Sequence, residues 1–409
     1  YAWFEERKNV KMNKTALLTI VGFLFVLQNN AQTKLNLEQT LALAIENNTS
    51  LKASNLKIDK SNALIKNAFN FDKTSIYYNY DESNLASNNI PLRVFGIAQN
   101  FKFPTVYFAD KNVHQSKATL EESAYNIKYQ QIKKEVSSSF YQLVYTKNKA
   151  KTYAFLDSLY QDFAKKATRR FELGETNYLE MITAKSKQKQ LETLYKQALQ
   201  EVILSEEKLK AVVQVEFLEI VDENLSVLEV QTISTNENVG LQYFENAKNY
   251  EEALYKLEKQ NLLPDISLEY FQGTNDLLKN NLTGYQIGLK IPLLFSGNSS
   301  KIKASKISKN IVEAEEQNYK LVLEAQYKSL LATLNQYKES INYYHNEGEN
   351  LKNEIIKTAN RTFKEGEIDF FQYLQSIETA KEIELSYLDN LNTYNQTIIN
   401  INYLTLNPF

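Results

Sequence analysis

Cysteine is absent from the 409-residue chain. Without it the chain can form no disulfide, no thiolate metal site, no thiol nucleophile and no lipid-acylated N-terminal cysteine. The two histidines, His114 and His345, lie far apart in sequence, and neither has a metal-ligand spacing or stands beside a nucleophile motif. A glycine-rich loop that could hold phosphate is also absent. These absences disfavour an enzyme, and the sequence predicts no cofactor and no metal site.

Helix-breaking residues are scarce, with five prolines and ten glycines. No proline lies between residues 105 and 263 or between 293 and 407. Such stretches can hold helices much longer than the usual ~11 residues. From Thr105 to Arg170 a continuous helix would be about 100 Å long at 1.5 Å per residue. Strong net charge is lacking too, because the formal value is −2, and no nucleic-acid partner is expected.

One long segment has apolar residues at alternating steps of three and four, which is typical of helices that pack along a seam. The stripe comprises Tyr327, Leu330, Leu334, Tyr337, Ile341 and Tyr344. A similar stripe begins at Phe140. Taken alone, these helices would favour an ordinary soluble coiled coil.

The N-terminal region predicts a secretory signal peptide over residues 12–31. Lys14 supplies positive charge, residues 16–27 are apolar, and Ala31 is a small residue suited to cleavage. The alternative is a short membrane anchor, but the run is shorter than the roughly 20 residues that span a bilayer. Residues 1–11 form an upstream segment with no predicted role. After the signal no apolar stretch of ~18 residues occurs, so the mature chain is expected to be soluble, extracellular or an outer-membrane β-barrel.

A short motif occurs twice and marks an internal repeat. Residues 170–175, with Phe171 and Gly174, recur 192 residues later as residues 362–367, with Phe363 and Gly366. Each copy follows a long helical pattern and precedes another one. The repeat therefore predicts two helical hairpins with a tight turn at each glycine.

Four segments alternate apolar and polar residues, which is typical of strands with one apolar and one polar face. They cover residues 75–81, 95–103, 266–271 and 284–291. Asn88-Asn89 and Asn280-Asn281 suit the connections within each pair of strands. Pro104 and Pro292 close the second strand of each pair.

The predicted order of elements in each half of the chain is therefore helix, strand, strand, long helix, tight turn and helix. The predicted division is a first structural repeat over residues 32–212, a linker over 213–237 and a second repeat over 238–409.

Four strands cannot close a membrane barrel. Such barrels have at least about eight strands, and an open edge in hydrocarbon leaves backbone groups unpaired at several kcal/mol each. Two chains would supply eight strands and three would supply twelve, which suits a wide lumen better. The alternative is a small soluble antiparallel sheet with one face exposed to water, which shows the same alternation of apolar and polar residues.

In a membrane barrel the two faces of each strand would meet lipid and water respectively. The residues predicted to face lipid are Ile76, Tyr78, Phe101, Leu268, Ile287 and Leu289. The residues predicted to face the lumen are Asp81, Asn100, Lys102, Glu269, Gln286 and Lys290.

Several motifs together resemble the TolC family of outer-membrane efflux proteins. Residues 35–48, a leucine- and alanine-rich run that ends in Asn47-Asn48, resemble the first helix of that family. Residues 291–297, with Pro292 and Gly297, resemble the stretch after its last strand, and the two Phe-x-x-Gly turns resemble its periplasmic tips. The resemblance covers about residues 33–409.

The resemblance implies a mainly α fold with β: long antiparallel hairpins in a trimeric α-barrel, and four strands per chain in a shared 12-stranded transmembrane β-barrel. It implies an outer-membrane homotrimer, surrounded by lipid and with its helices in the periplasm. Such a trimer passively exports substrates from an inner-membrane pump through a periplasmic adaptor (membrane fusion) protein. The implied adaptor contacts at the hairpin tips are Phe171, Leu173, Gly174, Glu175, Phe363, Glu365, Gly366 and Glu367. The alternative is that both glycines only cap helices.

The pore constriction of the family uses acidic residues shortly after the turn glycine. Glu180 is the acidic match in the first hairpin, whereas the second has Gln372 and Gln375, with Asp369 nearer the turn. We therefore expect three copies of Glu180 to form one acidic ring. The run of Phe370, Phe371 and Tyr373 predicts an aromatic constriction in the second hairpin.

Two other classes of protein stay open from the sequence. A periplasmic coiled-coil adaptor would have one hairpin flanked by small β domains, which the repeat disfavours. A secreted coiled-coil protein with a structural role is the second alternative. The cargo is not readable from the sequence, although Met181 as the sole methionine of the mature chain, with no cysteine, leaves few ligands for soft metals.

Overall fold

The structure is a computed structural model that describes residues 34–85, 91–221, 223–230, 238–274, 282–293 and 296–404. The predicted signal peptide, Asn88-Asn89 and Asn280-Asn281 lie outside the described residues.

Helices dominate both halves of the chain. The first half contains α1 (Leu37–Asn47), α2 (Thr49–Leu64), a 3₁₀ helix (Ile65–Phe69), β1 (Ser75–Leu85), β2 (Pro91–Phe101), α3 (Pro104–Glu172) and α4 (Tyr178–Val213). The second half contains α5 (Val239–Gln260), β3 (Asp265–Thr274), β4 (Leu282–Lys290), α6 (Ser296–Tyr343), a π-helix (Tyr344–Gly348), α7 (Glu349–Glu365) and α8 (Phe370–Asn402). In both halves a strand pair, a long helix, a turn and another helix follow one another as predicted, whereas two α-helices and a 3₁₀ helix precede the first strand pair, where one helix was predicted.

Two helices differ from the prediction in detail. Asn48 ends α1, as the paired asparagines indicate. It also begins α2 directly, because its backbone is extended and its side chain accepts a hydrogen bond from the Leu51 N–H at 3.0 Å. The second long helix is broken by one π turn, in which the ring of Tyr344 stacks on Tyr387 of α8 at 3.7 Å between centroids. The first half has no such break in the 69 residues of α3.

The four strands form one antiparallel sheet in the order β1-β2-β3-β4. The central pairing, between β2 and β3, joins the two halves of the chain, for example through Ile97 opposite Tyr270. Among the described residues, the outer strands, β1 and β4, each pair on one side only. The sheet is therefore shared by the two repeats and open at both edges.

The main core lies where the helices of both halves meet the linker. Its fully buried side chains include Phe140, Leu143, Val213, Ile220 and Leu391. The linker enters this core through a short parallel bridge, in which the Leu35 N–H donates to the Glu219 carbonyl at 2.9 Å and the Val221 N–H donates to the Leu35 carbonyl at 3.0 Å. Nearer the hairpin turns a second core contains Leu156, Tyr160, Phe163, Leu191 and Leu374.

The predicted apolar stripe of α6 is buried along most of its length. Leu334 packs with Ile398 of α8, and Ile341 and Tyr344 are also buried. Tyr327, at the other end of the stripe, is exposed, so the packed seam is shorter than the sequence pattern predicts.

A row of polar contacts joins α3 of the first half to α8 of the second. The Tyr145 hydroxyl donates to Asp389 at 2.5 Å, and the Tyr160 hydroxyl donates to Glu378 at 2.8 Å. Burial and the Asp389 carboxylate raise the pKa of Tyr145 to about 12, so its hydroxyl stays a donor at neutral pH.

Glu384 is a further carboxylate of this row, and it contacts both α3 and α8. Burial acts to raise the pKa of this carboxyl. Hydrogen bonds from Lys381 at 2.9 Å and Thr152 at 3.0 Å, together with the positive charge of Lys352 at 3.7 Å, outweigh burial, so the pKa is lowered. The ionised carboxylate thus helps to hold the two halves together.

Acid should weaken this contact. Because the pKa of Glu384 is lower in the folded than in the unfolded chain, its stabilisation is present above the ordinary glutamate pKa and is lost as pH falls through the lowered value. We expect Glu384→Gln to lower the unfolding temperature at pH 7 and to flatten its fall in acid. The measurement is thermal unfolding followed by circular dichroism from pH 7 to pH 3. Glu354→Gln, at an exposed position of α7, is the control, and an identical acid profile for both variants would contradict the assignment.

Candidate functional site

One face of the sheet is apolar and exposed. The strand register places all six predicted lipid-facing residues on it, since side chains of directly paired residues share a face. Other members of this face are Phe95, Ile97, Ile266, Tyr270 and Tyr285. Tyr285 is 83% exposed and Ile287 is 70% exposed. The same face also carries Arg93, Gln99 and Gln272, so it is mainly rather than wholly apolar. A large exposed surface of this kind is typical of contact with another apolar phase or molecule.

The opposite face of the sheet is mostly polar or small. It carries Asp81, Asn100, Glu269, Gln286 and Lys290 from the predicted lumen set, while Lys102 follows the end of β2 in the same alternation. The Lys290 ammonium donates to Asn100 Oδ1 at 2.6 Å, and the Tyr77 hydroxyl donates to Glu269. The two faces are thus chemically distinct along all four strands.

Sequence reasoning missed the role of two glycines on this polar face. Gly96 lies opposite Tyr77 and Gly284 lies opposite Phe271. A Cβ added at either glycine would stand 2.4 Å from the aromatic Cζ atom, so each ring occupies the space above its glycine. The signal was available: a glycine on the polar face of a strand marks a close approach by a neighbouring group.

The two hairpin turns have the same hydrogen-bonded cap. The Glu175 N–H donates to the Arg170 carbonyl at 2.8 Å, and the Glu367 N–H donates to the Thr362 carbonyl at 2.9 Å. Gly174 and Gly366 have φ of +74° and +78°, which only glycine adopts freely. Both therefore cap helices in the Schellman geometry, which is the alternative that the sequence left open.

The same turns also present an open surface. No atom lies within 4 Å of the position that a Cβ would take at Gly174 or Gly366. Leu173 is 55% exposed, and Phe171 and Phe363 are each 37% exposed. Capping and accessibility thus coexist at these glycines, and the predicted contact of the turns with an adaptor stays a prediction.

Two of the predicted constriction residues act locally as a helix cap. The Asp369 carboxylate accepts from the Gln372 N–H at 2.8 Å, and Gln372 Oε1 accepts from the Asp369 N–H at 3.1 Å. Gln375, one turn further along α8, is exposed. In the first hairpin Asn177 plays the part of Asp369 and accepts from the Glu180 N–H at 2.9 Å.

Glu180 is paired within its own hairpin. Arg170 Nη1 lies 3.2 Å from its carboxylate, and the Thr176 hydroxyl also donates to it. In the second repeat Thr362 and Gln372 occupy the positions of Arg170 and Glu180, so the charged pair is replaced by a neutral one.

Aromatic side chains pack within the second hairpin. Phe370 lies 4.9 Å from Phe163 and 5.2 Å from Phe363 between ring centroids, and Tyr373 stacks on Phe363 at 4.8 Å. Phe371 differs from them, since its side chain is exposed. Of the three residues of the predicted aromatic constriction, Phe370 and Tyr373 are thus occupied in joining the helices of the tip.

Other kinds of site find no support in the described ranges. Within them no three histidine, aspartate or glutamate side chains come together in a way that could hold a metal ion. None of the described helices carries an apolar stretch of the length that a membrane crossing requires.

Replacing either turn glycine should cost stability. Alanine in the left-handed region is strained by roughly 1 kcal/mol, so Gly174→Ala and Gly366→Ala should each lower the unfolding temperature, and Gly366→Asn should lower it less. Gly297→Ala is the control, because Gly297 lies in the first turn of α6 without positive φ and with open space around it. Equal unfolding temperatures for all these variants would contradict the proposed caps.

The chain is similar to known proteins in its fold rather than in its sequence. No protein-family model matches the chain, and no curated protein matches it either. Solved structures do match. The Campylobacter jejuni outer membrane channel CmeC superposes with a TM-score of 0.73 at 14% identity, over 90% of this chain and 85% of that one. The Neisseria gonorrhoeae outer membrane channel MtrE, in its open state, superposes with a TM-score of 0.69 at 12% identity. The superposition covers 90% of this chain and 88% of that one.

The Vibrio cholerae outer membrane protein VceC has a TM-score of 0.64 at 12% identity, over 90% of this chain and 94% of that one. Each of these superpositions covers 90% of this chain. They confirm the predicted fold, and the chain has the architecture of these outer-membrane proteins.

Proposed function

We propose that this chain is one of three identical subunits of an outer-membrane channel that passively exports substrates. The observation that carries the proposal is the open four-stranded sheet with one exposed apolar face and one polar face. The fold shared with CmeC and MtrE, which are outer membrane channels, supports it.

The sheet edges support assembly from several copies. β1 and β4 each have an outer edge whose backbone groups pair with no other strand in the described part of the chain. In hydrocarbon each such group costs several kcal/mol, so an embedded sheet must close on itself. Edge-to-edge pairing of three copies gives a closed barrel of twelve strands, whose lumen is wider than that of eight strands from two copies.

The helices support a duct that extends beyond the membrane. α3 has 69 residues and is about 100 Å long at 1.5 Å per residue. It leaves the sheet directly after β2 and ends at the first hairpin turn. Three copies would surround one axis with their hairpins and carry the barrel lumen into the periplasm.

The hairpin turns are the surface that we assign to the periplasmic adaptor. The eight tip residues of the two turns lie at the ends of the hairpins furthest along the chain from the sheet, and both turn glycines are uncovered. An inner-membrane pump would supply energy and cargo through that adaptor.

The alternative of a periplasmic adaptor fits the structure less well. That class would combine one hairpin with separate small β domains, whereas this chain has two hairpins and a single sheet built jointly from both halves. A secreted structural coiled coil would have no use for an exposed apolar sheet face.

Channel activity tests the proposal directly. The purified protein in a planar lipid bilayer should give discrete, long-lived conductance steps, and cell fractionation should recover it with outer membranes. A matched control is Ile287→Lys, which places a charge on the apolar face and should block insertion, because lysine near the bilayer midplane costs about 2–4 kcal/mol. Recovery of the unchanged protein in the soluble periplasmic fraction would exclude the channel.

The acidic ring at the tips is part of the same proposal, with Glu180 as its charged member. Since each Glu180 is paired with Arg170, its contribution to selectivity is partly neutralised. We expect Glu180→Gln to lower the cation-to-anion permeability ratio and Arg170→Gln to raise it. The permeability ratio should change roughly two- to fivefold, because one charge a few ångströms away interacts with an ion by about 1 kcal/mol in water. Reversal potentials in a salt gradient measure the ratio, and no change in either variant would refute the ring.

A further inference from the structure

Tyr77, Gly96, Phe271 and Gly284 form one row across the polar face of the sheet. The register pairs Tyr77 with Gly96, Gly96 with Phe271, and Phe271 with Gly284. The row thus alternates aromatic and glycine residues from β1 to β4. Its two aromatic residues occupy equivalent places in the two repeats, each on the first strand of its pair.

Each ring of this row lies against the neighbouring strand. The Tyr77 Cζ atom is 2.4 Å from where a Gly96 Cβ would stand, and the Phe271 Cζ atom is 2.4 Å from where a Gly284 Cβ would stand. The distal end of each ring therefore lies over the backbone of its glycine, and both aromatic residues are half-buried. The glycines let the polar face carry two aromatic surfaces without side chains that project far from it.

Glu269 adds a negative charge beside these rings. It precedes Phe271 by two residues on β3 and so shares its face, and its carboxylate accepts a hydrogen bond from the Tyr77 hydroxyl. On this face, Glu269 is the one charged residue of the described rows from Asn100 to Asn79, and the Lys290 ammonium of the adjoining row is held by Asn100 Oδ1 at 2.6 Å. Tyr77 fixes the orientation of the Glu269 carboxylate.

We propose that Glu269, Tyr77 and Phe271 form a binding site for organic ammonium ions that carry an apolar group. The carboxylate supplies charge attraction, and the aromatic faces supply cation–π and apolar contact. The inference rests on the proposed channel, in which this face lines the lumen and three copies place three sites at one level of the barrel.

A purely structural role for the rings predicts something different. Aromatic rings above glycines also fix register and curvature in a sheet. That role needs neither a charge at position 269 nor an exposed ring face. Binding of a cation separates the two roles, because it depends on both.

The test is block of the potassium current of the whole reconstituted channel by benzyltrimethylammonium, with tetramethylammonium as the companion probe. We expect benzyltrimethylammonium to block at lower concentration than tetramethylammonium. Glu269→Gln, which keeps an acceptor for Tyr77, should raise the blocking concentration of both ions. Phe271→Leu should raise the blocking concentration of both ions by roughly two- to fivefold, the scale of a single cation–π contact. The rise should be larger for benzyltrimethylammonium, because its benzyl group also loses contact with the Phe271 ring.

Asp81→Asn is the matched control. Asp81 lies on the same face of β1, but its carboxylate accepts from the Ser83 N–H at 3.0 Å and the Ser83 hydroxyl at 2.7 Å, so it belongs to a local turn. The variant should leave block unchanged. Normal conductance with unchanged block in Glu269→Gln, or an equal loss of block in Asp81→Asn, would overturn the inference and leave the channel intact. Failure of the unaltered protein to conduct would overturn the channel itself and the inference with it.

Discussion

The unpaired backbone groups along β1 and β4 are the constraint on which the rest of the structure depends. In water such edges can be solvated, but the apolar face of the same strands, with Tyr285 and Ile287 largely exposed, suits a medium without water. In that medium the edges must pair, and within one chain they do not. The proposed channel therefore needs other copies of the chain to pair with these edges, and in it the helices that leave the sheet would share one axis with the barrel.

Duplication explains how one chain supplies so much of this assembly. Two copies of a strand pair and a helical hairpin join at the β2–β3 pairing, and the polar contacts between α3 and α8 join them again along the helices. The halves have since diverged where their surroundings differ. Arg170 and Glu180 pair at the first tip, whereas the second tip is neutral at both positions and packed with the rings of Phe363 and Phe370. The proposed selectivity and docking surfaces thus need not be equal in the two repeats.

Much of the fold could be predicted from the sequence because its signals are local and repeated. Alternation at Ile76 and Tyr78 defines the strands, and a lone glycine between two helical patterns defines each turn. The rest depends on contacts between distant residues. The hydrogen bond from Tyr77 to Glu269 crosses a strand, and it follows only from the register. The π turn at Tyr344 is likewise found together with the stacking of its ring on Tyr387 of α8, and no local sequence pattern indicates that contact. For the same reason the partner of Glu180 could not be predicted, although its position after the turn could.

The mass of the detergent-solubilised protein tests the central claim most directly, because a sheet that must close with other copies predicts a fixed particle size. Native mass spectrometry should show three chains per particle, with no folded monomer until the detergent or temperature disrupts the barrel. A single chain that stays folded and monodisperse in water without detergent would show that the sheet edges need no partner, and would contradict the account.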